Sequence, residues 1–147
     1  MYKRILVPLD GSKSAEAVLE YARQLAECTG AEVLLLHLVT YPHYDYLLTD
    51  PELSASLRQH LDSEAAKYLQ RLVDQVSRSG LRVRAEVLSV SGSVADAILR
   101  HAREQQVDLI ALTTHGHRGP DGWVQGSVAD RVLRRAQAPV LVVRPGR

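Results

Sequence analysis

The segment Thr114–Gln125, THGHRGPDGWVQ, spreads Gly116, Gly119 and Gly122 along one loop and then runs into GSVAD from Gly126 to Asp130. Glycines lack a Cβ, so a backbone rich in them can approach a ligand closely. A serine ahead of an apolar-periodic run reads as a helix start, whose unpaired N–H groups and positive dipole end attract anions. Together these residues have the chemistry of a phosphate cradle. The same GSVAD occurs earlier, from Gly92 to Asp96, but EVLSVS precedes it and contains no glycine. Ser93 with Asp96, and Ser127 with Asp130, are capping-box-like pairs, each cap worth ~1 kcal/mol. The copy at Gly92 therefore reads as a helix start alone, and the copy at Gly126 as a helix start with an anion approach.

Other chemistry-bearing residues are sparser. Asp10, in PLDGS, reads either as a turn residue capping the next helix or as a carboxylate facing a ligand. His115 and His117 flank Gly116 with no carboxylate or cysteine close by in sequence, an incomplete metal-ligand set, and they read as loop residues. No Gly-Lys-Ser/Thr follows the glycines and no G-x-S-x-G elbow occurs. The single cysteine, Cys28, lies late in an apolar-periodic segment and is expected to pack. The stretch Tyr41–Tyr46, with three tyrosines and His43, reads as a surface loop that either packs its own aromatics or folds over a base.

The elements that must carry these residues alternate. RILVPLD (Arg4–Asp10), EVLLLHLV (Glu32–Val39), DLIALTT (Asp108–Thr114) and PVLVVRP (Pro139–Pro145) are short, nearly continuous apolar runs. That is how strands buried on both faces read. RVRAEVLSV (Arg82–Val90) alternates, as an edge strand should. Between them, apolar residues at spacings of three and four predict helices from Ser14 to Thr29, from Pro51 to about Ser79, from the first GSVAD to about Gln105, and from the second to about Ala136. Strand–helix alternation predicts one α/β domain over residues 1–147, a parallel sheet with helices on both faces. If the first strand is central, strand order reverses between strands one and four. Ligands of open sheets collect there, at the carboxyl ends.

Composition limits the function. A net charge of +1 excludes a strong electrostatic commitment to nucleic acid or an anionic membrane. Arg131, Arg134 and Arg135 read as a solvated helix face. No leader-like start or membrane-length apolar run is present, and one cysteine makes no internal disulfide, so a cytoplasmic protein is expected.

ILVPLDGS, HLV, DLIALTTHG and GSVADRVLRRAQAPVLVVRP together resemble the universal stress protein family along the whole chain. The specific element is the signature Gly-x2-Gly-x9-Gly-Ser/Thr, of which Gly116, the nine-residue gap, Gly126 and Ser127 are present. Thr113 stands where the family's first glycine is common. The resemblance implies a single open, Rossmann-like, five-stranded parallel sheet in the order 3-2-1-4-5, binding ATP (or ADP or AMP) with Mg2+. By position, it implies that Pro8 and Asp10 line the site and that Val39 meets the adenine. Thr113, His115, Gly116, Gly126, Ser127 and the Val128 amide would surround the ribose and phosphates. It also implies a homodimer through the strand Pro139–Pro145. A regulatory nucleotide-binding protein of the stress response is the leading expectation. A slow ATPase or phosphotransferase ranks lower, since no residue reads as a general base aimed at a γ-phosphate. A nucleotide-free dimerising module is the reading that Thr113 favours.

Overall fold

The computed structural model describes residues 1–40, 50–78, 80–114 and 127–145. Strand β1 (Arg4–Leu9) leads through one turn of 3-10 helix (Ala15–Val18) into helix α1 (Leu19–Thr29). Then come β2 (Glu32–Thr40), α2 (Pro51–Ser77), β3 (Val83–Val90), α3 (Val94–Glu104), β4 (Leu109–Thr113), α4 (Ser127–Arg135) and β5 (Val140–Val143). Among the described residues the sheet has five strands in the order β3-β2-β1-β4-β5, and every pairing is parallel. The expected order and the edge position of β3 both hold.

Local chemistry sets the helix ends. Gly30 closes α1 in the left-handed region, at φ 75°, where its N–H reaches Ala26 O. Asp50 opens α2 by accepting from the Glu52 amide at 3.0 Å, with Pro51 in the first turn. Ser93 opens α3 by accepting from the Asp96 amide at 3.2 Å.

Side chains of alternate strand residues feed two apolar layers. Ile5, Val7, Val33, Leu35, Leu109 and Ala111 pack with α1 and the buried Leu69, Leu72 and Val76 of α2. Leu6, Leu34, Leu36, Ile110 and Leu112 pack with Ile98 of α3 and Val128, Ala129 and Val132 of α4. Cys28 corrects its expectation, being exposed. The face of α1 that meets the sheet is filled by Leu19, Ala22 and Ala26, and Cys28 falls off that stripe.

The amino end of the sheet is clasped. The Asp108 carboxylate accepts from the Lys3 and Arg4 amides at 2.8 and 3.0 Å, tying β4 to β1. Glu32 at the start of β2 pairs with Arg4 at 3.2 Å and with Arg84 of β3 at 3.3 Å. Four strands are thereby held in register at the end opposite the expected site.

Candidate functional site

At the carboxyl end β1 and β4 separate. The β1–β2 ladder runs as far as Leu9↔His37, whereas the β1–β4 ladder ends at Leu6↔Ile110. Pro8, two residues on, has no N–H to offer a neighbouring strand, and proline inside a central strand is otherwise disfavoured. Here it falls where pairing on one side has already stopped. The result is a parting between two central strands at the point where strand order reverses, the expected ligand address in an open α/β sheet.

Asp10 follows at the rim. Its Oδ1 accepts from the Ser12 amide at 2.9 Å and from the Ser12 hydroxyl at 2.6 Å, and Ser12 Oγ accepts from the Ala15 amide at 3.1 Å. The turn reading of Asp10 is thus realised: the carboxylate shapes the turn, and Ser12 caps the 3-10 turn that follows. Gly11 between them has φ 90°, a backbone conformation that favours glycine.

Across the parting stands Thr113, only 1% exposed. Its Oγ1, and that of the neighbouring Thr114, are buried with no hydrogen-bond partner among the described residues. Such orphan hydroxyls are uncommon, each costing about 1–3 kcal/mol, and they call for a reason. The Thr114 amide beside them is satisfied by Val143 O at 3.1 Å.

Helix α4 begins at Ser127, with Val128 buried against the second layer. Ser127, the first described residue after β4, is itself helical, whereas Ser93 stands ahead of α3 as its cap. The acids of both copies pair with arginines of α4. The Asp96 carboxylate accepts from Arg135 at 3.4 Å, and that of Asp130 from Arg134 at 3.0 Å. The amides of any helix's first turn lack an intrahelical acceptor, and the helix dipole adds positive potential at that end.

Pro8 and Asp10 thus sit at the carboxyl end of β1, Thr113 at that of β4, half-buried Val39 near that of β2, and Ser127 and Val128 open the helix after β4. His115, Gly116 and Gly126 lie outside the described residues, as do His117 and the Tyr41–Tyr46 loop. Among the described residues no cluster of three or more His, Cys, Asp or Glu side chains could hold a metal. Two residues escaped sequence reasoning, Thr114 and His37. His37 was legible only as a titratable side chain interrupting the apolar run of β2.

A family model described as the universal stress protein family matches residues 1–144. The chain belongs to the universal stress protein family. Universal stress protein MJ0531 of Methanocaldococcus jannaschii is 31% identical over 98% of this chain and 83% of the relative. Universal stress protein YxiE of Bacillus subtilis is 31% identical over 98% of this chain and the whole of the relative. The solved structure of the universal stress protein MJ0577 of M. jannaschii superposes with a TM-score of 0.80 at 27% identity, covering 99% of this chain and 98% of that one. More distant universal stress proteins share the fold. One from Arabidopsis thaliana, solved with AMP bound, has a TM-score of 0.69 at 17% identity over 98% and 92% of the two chains. One from Archaeoglobus fulgidus, solved in complex with dAMP, has a TM-score of 0.65 at 24% identity over 96% and 97%.

Proposed function

We propose that this universal stress protein is a single-domain regulator that binds an adenine nucleotide where β1 and β4 part. ATP is the expected ligand, with ADP and AMP as alternatives. The observation that carries the reading is the pair of orphan hydroxyls of Thr113 and Thr114 at the strand-order reversal. A hydroxyl both donates and accepts, so a ribose or a phosphate oxygen brought there would relieve the cost of burying it unpaired. Thr113 in place of a glycine then adds polar contacts rather than obstructing the site. The amide groups at the start of α4 and the glycines before it supply donors for phosphate oxygens. The nucleotide complexes of the family members above support the ligand class.

Asp10 directly follows β1, one of the two strands that part, and Mg2+ bound to a nucleotide needs only one or two carboxylates beside the phosphates and water. Nucleotide occupancy would alter the surfaces offered to a partner copy through β5, and the protein would act in the cytoplasm as a homodimer with hydrolysis slow or absent.

The test is to purify the protein without added nucleotide, denature it, and identify the adenine compound released. Recovered ATP supports the regulator, and ADP accumulating with time points to hydrolysis. No adenine compound, together with no heat of binding for ATP and magnesium, overturns the reading.

A further inference from the structure

We propose that His37 is a positioning residue for this crevice: its ring, wedged between Tyr68 of α2 and the turn after β1, fixes where Asp10 and Gly11 stand. The inference rests on the nucleotide site proposed above but reaches a residue outside that site.

His37 lies opposite Leu9 in the β1–β2 ladder and is 8% exposed. Strand alternation places it on the same face as Val33 and Leu35, toward α2. Its Nδ1 is 3.4 Å from Leu9 O. A carbonyl oxygen only accepts, so the proton of the neutral ring belongs on Nδ1. Beside Nδ1, the ring's Cε1 lies 3.4 Å from where a Cβ on Gly11 would stand. The ring is thus the floor of the turn that carries Asp10.

Behind the ring stands α2. The Tyr68 ring lies 4.8 Å from that of His37, centroid to centroid, tilted by 48°. The Tyr68 hydroxyl donates to Glu16 Oε2 at 3.4 Å, and Arg71 donates to the same oxygen at 3.5 Å. Burial, with the charges of Glu16 and Asp10, pushes the Tyr68 hydroxyl up, which keeps it protonated as a donor. A continuous set of contacts therefore joins α2, the 3-10 turn and the end of β1. Among the described residues three charged groups face the His37–Tyr68 pair: Asp10 from the turn, Glu16 from the 3-10 turn and Arg71 from α2.

An imidazole is a costly choice in a run of leucines unless its polar atoms are used. Leucine would fill the same layer, as it does at Leu35. What imidazole adds is a donor to Leu9 O and a flat ring under Gly11. Burial holds the ring below the usual imidazole range, partly offset by the Leu9 contact and the Asp10 charge, so the neutral form is the working one.

The experiment compares wild type, His37→Leu and His37→Asn, since asparagine keeps a donor one bond beyond Cγ. Two quantities are read: the ATP dissociation constant, and the amide shifts of Gly11 and Ser12 in wild-type protein as pH is lowered. The expected results are affinity about tenfold weaker in His37→Leu, mostly restored in His37→Asn, and amide shifts that titrate together with the His37 ring. Wild-type affinity in His37→Leu, or Gly11 and Ser12 amides indifferent to the ring's titration, overturns the inference. If wild type takes no nucleotide, the function proposed above falls, and the amide titration alone decides the positioning role.

Discussion

Arg131 donates from Nη1 to the Ser93 hydroxyl at 3.1 Å, so the second GSVAD helix reaches across and closes the entrance of the first. Arg135, one turn further along α4, does the same to Asp96. The two copies of one pentapeptide are thus unequal in use. At α3 the serine oxygen accepts from the Asp96 amide and from Arg131 together, which leaves that helix start furnished with protein donors. Helix α4 follows β4, one of the two strands that part.

A cap with only structural work can be removed without touching ligand binding. Ser93→Ala is expected to lower stability by ~1 kcal/mol, seen as a lower denaturant midpoint at unchanged slope. The Arg131 contribution is small because that pair is exposed. Nucleotide affinity should stay at the wild-type value, measured by calorimetry.

The orphan hydroxyl at Thr113 makes an opposite forecast. Valine has the same shape without the hydroxyl, so Thr113→Val removes a buried polar atom that has no partner. Relief of that cost should raise stability by about 1 kcal/mol in the nucleotide-free protein. Affinity for ATP should fall several-fold, a loss on the order of one hydrogen bond. A variant both less stable and equally tight in binding would mean that the hydroxyl serves the fold instead.

His37 gives the fold a pH dependence. Its folded-state affinity for protons is depressed by burial, relative to an unfolded value of 6.5. As pH falls, the unfolded chain takes the proton first, so the stability His37 contributes is full above about pH 7 and drains away as pH drops below about 6.5. His37→Asn lacks this proton. Denaturant midpoints measured from pH 7.5 to 5 should therefore fall more steeply for wild type than for His37→Asn, and parallel curves would remove His37 from the account.

The edge strand β5 predicts self-association. Val140, Leu141 and Val142 are only half-buried, and an apolar edge invites pairing with a second copy. Sedimentation should give twice the 16.3 kDa of one chain, and Leu141→Lys should shift the population toward monomer. A 16.3 kDa species at high micromolar concentration would exclude the dimer.

Most of the fold was legible because its strands are apolar on both faces and its helices are striped. Even the edge position of β3 could be read, from the alternation of Arg82–Val90. What escaped has physical reasons. Cys28 was expected to pack because periodicity marks a stripe only to within a residue or two, and α1 rotates it outward. Ser127 is helical in α4 where Ser93 stands outside α3, a difference that the identical five letters do not carry. His37 stands in the HLV segment, which carries the resemblance without giving that side chain a role. Its role depends on Leu9, Gly11 and Tyr68, which meet only when β2, the turn after β1 and α2 are packed together. The Asp10 alternatives also needed the fold, which shows the carboxylate shaping its turn while standing at the rim of the parting.

The central claim is that one GSVAD entrance carries the nucleotide and the other does not. The most direct measurement is calorimetric titration of ATP with magnesium into wild type, Gly92→Val and Gly126→Val. Gly92 has φ 147°, so valine there strains the backbone and should lower stability. The account predicts saturable binding to wild type, near-wild-type affinity in Gly92→Val despite its lower melting temperature, and no measurable binding in Gly126→Val. Equal loss of affinity in both variants, or no binding to wild type, would contradict it.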